Sequence, residues 1–202
     1  MQATVVILTK LPGHLPIKTR LQPLLGEQGA VDFHLEALRL TISMAHQFDE
    51  KPLLATSPFE ADPEPALPNM PRCTFMPIAG NDGATCLENA IENARSLAHA
   101  SQPLVALGAD SPDLPPERIA QALDLMPEYD VVFVPTSDGG FSCMVLRAPI
   151  AGLAQGFQYG GTAALASLQA WMESEGLKVR LLEPWDDVDT PEQYQAYRAG
   201  RA

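Results

Sequence analysis

Cysteine is scarce in this chain: Cys73, Cys86 and Cys143 are the only three in 202 residues, widely spaced and without a Cys-x-x-Cys pair. Such usage supplies neither a disulfide framework nor a zinc site, and a reducing cytoplasm is the natural setting. Basic residues are also few. Thirteen Lys and Arg face 25 Asp and Glu, a net charge of -12. A nucleic-acid-binding surface is therefore excluded, because phosphate neutralisation needs clustered cations. An acidic protein can still bind a phosphorylated small molecule by recruiting a divalent cation and placing its few basic residues locally. No apolar run approaches the roughly 18 residues of a membrane helix, and M-Q-A-T-V-V-I-L enters a strand directly, without a signal-peptide pattern. The expectation is a cytoplasmic, unexported protein with no membrane span.

What the chain does have is enough apolar sequence, 46% of residues, to bury one sizeable core, and its length fits a single domain over residues 1–202. Continuous β-branched or apolar runs predict buried strands at Thr4–Thr9, Lys51–Thr56, Cys73–Ile78, Leu104–Leu107 and Asp130–Pro135. Between them, helical spacing falls at Val31, Leu35, Leu38, Ile42 and Ala45, at Leu87, Ile91, Ala94 and Ala98, and at Ile119, Leu123 and Met126. Ser57–Arg72, with five prolines, reads as an irregular connection. Phe141–Arg147 reads as a returning strand, Thr162–Glu173 as a helix and Leu177–Leu182 as a half-exposed edge strand. A last helix follows Thr190, with Pro191 and Gln193 completing a cap, a first-turn proline and a capping box. Alternating strands and helices predict an α/β fold: a mixed, mostly parallel sheet with helices on both faces. The strand after Asp138 and the edge strand are the candidates for antiparallel pairing.

Four strand-following loops carry polar residues suited to a nucleotide. They hold Lys10, Lys18 and Arg20; Asp110 and Asp113; Asp138 with Gly139 and Gly140; and Asp187 with Asp189. Parallel neighbouring strands would bring these loops to one edge of the sheet, where ligands of doubly wound folds bind. Taken singly, each loop has a plainer reading. Asp110 and Asp113 serve equally well as turn and cap residues, and Asp138-Gly139-Gly140 as a tight turn before Phe141. Taken together they suggest a cation site. Two carboxylates about 4 Å apart repel by roughly 4 kcal/mol at an effective dielectric near 20, so a cluster needs a cation or a shared proton. Hard oxygen ligands suit Mg²⁺ or Mn²⁺, with Asp110 and Asp189 sufficient and substrate phosphate completing the shell. The lysines and Arg20 would grip phosphates. Metal and cations together would offset charge developing on a phosphoryl group or departing diphosphate.

These residues stand in an order that resembles a bacterial family of glycosyltransferase-A-like proteins, usually named as nucleotide-diphospho-sugar transferases without an assigned activity. The family is related to the molybdenum-cofactor and phospholactate guanylyltransferases. The resemblance rests on Lys10-x-Pro12 with Lys18-Thr19-Arg20-Leu21, on Gly108-x-Asp110-x-Pro112-x-Leu114, on Asp138-Gly139-Gly140, and on Asp187-Val188-Asp189-Thr190-Pro191-Glu192. It implies the glycosyltransferase A fold, a single nucleotide-binding α/β domain. It also implies Asp110 and Asp189 as metal ligands, with Asp187 beside them. The first-loop cations Lys10, Lys18 and Arg20 would meet the phosphates, and Asp138 would lie on the acceptor side. Asp113, Gly139 and Gly140 complete the expected nucleotide contacts, and Lys18 and Asp138 are the expected catalytic residues. His14, His34, His46 and His99 match no family motif and read as surface or structural.

The chain departs from the family pattern in three places. His14-Leu15-Pro16 stands where the family has Pro-Gly-Arg, Asn81–Cys86 lacks the family's arginine, and Tyr159-Gly160-Gly161-Thr162 replaces a Trp-Ser/Gly-Thr step. Two phosphate-binding cations are thereby lost, each worth about 1.5–3 kcal/mol if it made charge-assisted hydrogen bonds. The expected function is a metal-dependent transferase passing a nucleotidyl or glycosyl group from a nucleoside triphosphate or nucleotide-sugar to a small acceptor. The alternative is a nucleotide-binding module of the same fold that has lost catalysis. Both transfers need the same metal and phosphate grip and differ in which bond is aligned with the acceptor.

Overall fold

The computed structural model describes residues 2–80, 82–97, 102–148, 150–156 and 161–200. Asn81, Ala98, His99 and Tyr159-Gly160, named above, lie outside the described residues. The strands are β1 (Thr4–Lys10), β2 (Leu53–Ser57), β3 (Thr74–Pro77), β4 (Leu104–Gly108), β5 (Val131–Pro135), β6 (Phe141–Leu146) and β7 (Val179–Leu181). They form one sheet in the order β3-β2-β1-β4-β6-β5-β7. β1, β2, β3 and β4 are mutually parallel, β6 is antiparallel to both neighbours, and β7 pairs with β5 in parallel. The expected mixed, mostly parallel sheet is therefore present.

Successive strand residues point to opposite faces, and the sheet buries both. One face carries Val5, Ile7, Leu54, Val105, Leu107, Val132 and Val145 against α1 (Gln22–Ala45) and α4 (Pro116–Asp124). The other carries Val6, Ala55, Ala106, Phe133 and Met144 against α3 (Gly83–Leu97) and α6 (Ala164–Ser174). Two-sided burial explains why the central strands read as continuous apolar runs rather than as alternating ones.

Several elements differ from the sequence expectation for identifiable reasons. α1 begins at Gln22, ahead of the helical spacing that starts at Val31, because Pro23 supports a first turn that Gly26, at φ 72° and ψ 171°, then breaks. Its buried stripe runs through Ala30, Phe33, His34, Ala37 and Leu38, one position off the expected Val31 and Leu35, because a polar His34 sits inside the stripe. The Ser57–Arg72 connection contains a one-turn helix, α2 (Pro63–Ala66), whose Asp62 carboxylate accepts from the Glu64 N–H at 3.1 Å. A further short helix, α5 (Leu153–Gly156), carried no periodic signal at four residues. Met126 is buried just beyond the end of α4 rather than inside it. β7 is parallel to its neighbour because α6 runs back along the sheet first, so that β7 sets out in the same direction as β5. Among the described residues no helix is long and apolar enough to cross a membrane.

The last segment fixes the geometry of the ligand edge. After β7 the chain crosses the carboxyl ends of the strands. The Leu182 N–H donates to the Phe133 carbonyl, Trp185 N–H to Pro135, and Val188 N–H to Asp110, at 2.9, 2.8 and 2.8 Å. It then enters α7 (Pro191–Ala199) through the expected capping box. The Thr190 side chain accepts from Gln193 N–H, while Gln193 Oε1 accepts from the N–H groups of Asp189 and Thr190. Phe33 of α1 packs edge-on against Tyr194 and Tyr197 of α7, and Arg198 forks onto Glu36. α7 is thereby locked to α1, and Asp189 is held at a defined height over the edge.

Candidate functional site

β1, β4, β5 and β7 all point the same way, so the loops that follow them share one edge. β1 leads to β2 on one side while β4 lies on its other side, which makes the space beyond β1 and β4 a topological switch point. There the structure brings four of the expected residues together.

Lys18 lies at their centre. Its Nζ stands 2.6 Å from Asp110 Oδ1 and 2.7 Å from Asp189 Oδ1, and it donates to the Val188 carbonyl at 2.9 Å. An ammonium has three hydrogens, and these three acceptors use them all. The Lys18 side chain is only 3% exposed, whereas those of Asp110 and Asp189 remain 44% and 34% exposed. The cation is enclosed and the carboxylates open to the crevice. Phe33 closes the inner side, its ring centroid 5.9 Å from Nζ. Burial acts to lower the Lys18 pKa, but the Asp110 and Asp189 carboxylates outweigh it and hold the amine above its ordinary value. For Asp110, desolvation acts upward, and the Lys18 charge overrides it and holds the carboxyl below its usual range.

Asp187 sits one step further in. Its Oδ1 accepts from the Ser111 hydroxyl at 2.5 Å, and burial, reinforced by the charges of Asp110 and Asp189, pushes its pKa up to about 7. The folded protein therefore binds a proton here that the unfolded chain, with a carboxyl pKa of about 4, releases. Between those values the folded state holds more protons, so this group's contribution to stability falls as pH rises from 4 to 7. Asp187→Asn, which keeps an acceptor for Ser111, should remove that loss. With chelator present, the difference in melting temperature, variant minus wild type, should become more positive between pH 4 and pH 8. A difference that stays flat would show that Asp187 titrates normally.

Ser111 was not legible as a site residue, and His34, read as surface or structural, is buried beside the first loop. His34 is 4% exposed, with Nε2 3.1 Å from Thr9 Oγ1 and 3.3 Å from the Lys10 carbonyl. Burial and the neighbouring lysine charges lower its pKa against the pull of Asp110, and its role is structural, tying the start of the first loop to α1. A polar residue inside an otherwise apolar helical stripe was the available signal. Ser111 is 3% exposed and offered no signal beyond its place between two motif residues.

The other expected residues line the same edge without joining the cluster. Lys10 and Arg20 are exposed and make no ion pair or hydrogen bond through their side chains among the described residues. Asp113 is exposed and accepts from Trp185 Nε1 at 3.2 Å. Asp138 Oδ1 accepts from Thr136 Oγ1 at 2.6 Å and from Gly140 N–H at 3.1 Å, while Gly139 N–H donates to the Thr136 carbonyl. The N–H groups of both glycines are thus used inside the turn. Asp186 accepts from Ser137 N–H at 2.6 Å and ties this turn to the crossing segment.

Among the described residues no three His, Cys, Asp or Glu side chains form a metal-binding group. What the site does hold is a pair of carboxylates, from the β4 loop and the α7 entry, aimed at one point that carries a cation. That donor set fits a hard divalent ion, which takes one or two carboxylates and completes its shell with water and phosphate.

A family model described as "Uncharacterized protein conserved in bacteria (DUF2064)" matches residues 41–161, more than half of the chain. The chain belongs to this family. The part of this DUF2064 chain that matches takes in Asp110, Asp113 and the Asp138–Gly140 turn. Lys10 to Arg20, Asp187 and Asp189 lie outside it. No curated protein matches the chain in sequence.

Solved structures share its fold. One from Desulfovibrio desulfuricans G20, described as a "putative nucleotide-diphospho-sugar transferase", is 22% identical with a TM-score of 0.85, over 100% of this chain and 89% of that one. A CMP:2-keto-3-deoxy-manno-octonic acid synthetase complexed with CTP is 17% identical with a TM-score of 0.61, over 100% of this chain and 98% of that one. Rv0371c from Mycobacterium tuberculosis H37Rv, in complex with manganese, is 16% identical with a TM-score of 0.54, over 97% of each chain. The likeness establishes the nucleotide-diphospho-sugar transferase fold that the motifs implied.

Proposed function

We propose that this DUF2064 protein is a cytoplasmic, divalent-metal-dependent transferase that passes a nucleotidyl or glycosyl group from a nucleoside triphosphate or nucleotide-sugar to a small acceptor. The observation that carries the reading is the convergence of Asp110 and Asp189 on one cationic point at the switch of the sheet. Support comes from the fold shared with a synthetase that holds CTP and with a protein that holds manganese.

In this reading Asp110 and Asp189 hold Mg²⁺ or Mn²⁺, with Asp187 behind them. The metal supplies Lewis-acid stabilisation of charge on the phosphates. Lys10, Lys18 and Arg20 grip the phosphates from the first loop, and Asp113 and the Gly139-Gly140 turn border the bound nucleotide. Asp138, at the next strand end along the edge, faces the acceptor. Cations brought to the phosphates before transfer offset the charge that develops there as the bond breaks.

The test is a thermal-shift screen of nucleoside triphosphates and nucleotide-sugars with and without Mg²⁺ or Mn²⁺, followed by assay of each stabilising donor for release of diphosphate or nucleotide. A ligand at 100 times its dissociation constant adds about 2.7 kcal/mol of stability. The expected result is a metal-dependent shift with one donor class, together with product. A metal-dependent shift with no product from any acceptor would favour the non-catalytic module instead, and no shift with any donor would end both readings.

A further inference from the structure

Lys18 combines features that a simple phosphate-gripping lysine does not need. Its three N–H donors are all used by protein acceptors, so it can contact a phosphate only by releasing at least one of them. The acceptors it holds are the carboxylate oxygens that aim at the cation point, not a separate pair. Its backbone lies at φ 42°, in the left-handed region that a non-glycine residue enters only when its surroundings hold it there. It stands in a loop anchored by buried Leu11 and Ile17, with exposed Gly13 at φ 81° upstream and exposed Thr19 and Arg20 directly after it.

We propose that Lys18 is an internal counter-ion that a divalent metal must displace, so that binding of the metal and release of the ammonium toward a phosphate are one linked event. The proposal rests on the transferase reading above and adds the coupling between its metal and its phosphate. An ammonium and a divalent cation repel each other and compete for the same oxygens of Asp110 and Asp189. While Lys18 holds both, the carboxylates keep their spacing and one of their two negative charges is balanced. Metal alone binds weakly, because it must expel a buried cation that then has no partner. Metal with a polyphosphate binds well, because the displaced ammonium gains a new anion. By linkage the two ligands raise each other's affinity by the same factor.

Two measurements test this, with Mn²⁺ alone as the probe. In the first, free Mn²⁺ is followed by electron paramagnetic resonance during titration of wild type and Lys18→Met. The variant, which keeps the aliphatic stem, should bind Mn²⁺ at least about tenfold more tightly, within the usual range of coupling between sites. In the second, wild-type protein is treated with acetic anhydride and read by peptide mass spectrometry, with exposed Lys10 as the reference. Lys18 should be protected without Mn²⁺ and acetylated at concentrations that occupy the site. The second measurement decides the matter if Lys18→Met fails to fold. Equal or weaker Mn²⁺ affinity in Lys18→Met, or Lys18 acetylation that ignores bound Mn²⁺, overturns the proposal. So does a wild type that takes up no Mn²⁺ at any concentration. The transferase reading survives those outcomes if metal and nucleotide together still stabilise wild type, and falls with the proposal if they do not.

Discussion

Asp110→Asn is expected to abolish the metal-dependent nucleotide response while leaving the fold in place. The asparagine keeps the size of the side chain and one acceptor oxygen, so the Lys18 ammonium retains a partner at that position. The tie from Val188 N–H runs to the Asp110 backbone carbonyl and is untouched by the change. What is lost is a full negative charge at the point where two carboxylates converge, and Asp189 alone is a poor site for a divalent ion. The stabilisation of about 2.7 kcal/mol expected at 100 times the dissociation constant should vanish under identical metal and nucleotide concentrations. Turnover should fall by about 10²–10³, the usual effect of removing one electrostatic contact to a transition state. The measurement is the pair of melting curves, with and without Mn²⁺ plus the stabilising nucleotide, for wild type and variant. A variant that keeps its metal-dependent shift would exclude Asp110 as a ligand and return it to the role of a turn residue.

Much of this architecture could be read from the chain because two-sided burial leaves an unambiguous trace. Thr4–Thr9, Leu104–Leu107 and Asp130–Pro135 are short, continuous and largely β-branched or apolar, and their length favours a strand over a helix. The capping box at Thr190 and Gln193 was legible because it is a local chemical device, set by residues three apart. The direction of β7 was not, because it depends on how far α6 travels before the chain returns, which is a property of packing rather than of Leu177–Leu182. The site divides in the same way. Asp110 and Asp189 were visible as acids after strand ends, but Lys18, expected at the phosphates and in catalysis, was not legible as the partner between them. Nothing in Lys18-Thr19-Arg20 distinguishes a lysine turned inward onto two carboxylates from one turned outward, because both carboxylates come from segments distant in sequence. Ser111 became relevant only once the crossing segment placed Asp187 beside it.

The glycine pair after Asp138 shows how magnitude separates two explanations of one residue. Gly139 lies at φ 90°, and a Cβ built there would overlap the Thr162 carbonyl oxygen and stand 2.8 Å from the Thr162 Cα. Its own carbonyl accepts from the Leu165 N–H at 2.9 Å, so the turn is pressed against the first turn of α6. Gly13 has a similar φ of 81°, but a Cβ there would meet nothing within 4 Å. Conformation alone therefore predicts similar costs for Gly13→Ala and Gly139→Ala, about 1 kcal/mol each, from forcing an L residue into the left-handed region. Contact predicts a large difference, because the obstacle at Gly139 is backbone and cannot rotate away, and overpacking of that kind adds about 1–3 kcal/mol or more. Gly139→Ala should thus lose about 3 kcal/mol in urea denaturation, against about 1 kcal/mol for Gly13→Ala, with the slope of the transition unchanged. The same change should weaken the donor response, since the turn it displaces holds Asp138 and, through Ser137 N–H, the Asp186 end of the segment that carries Asp187 and Asp189. Equal losses at the two glycines would mean that the turn does not press on α6. The Asp138 loop would then be free to move independently of the carboxylate pair.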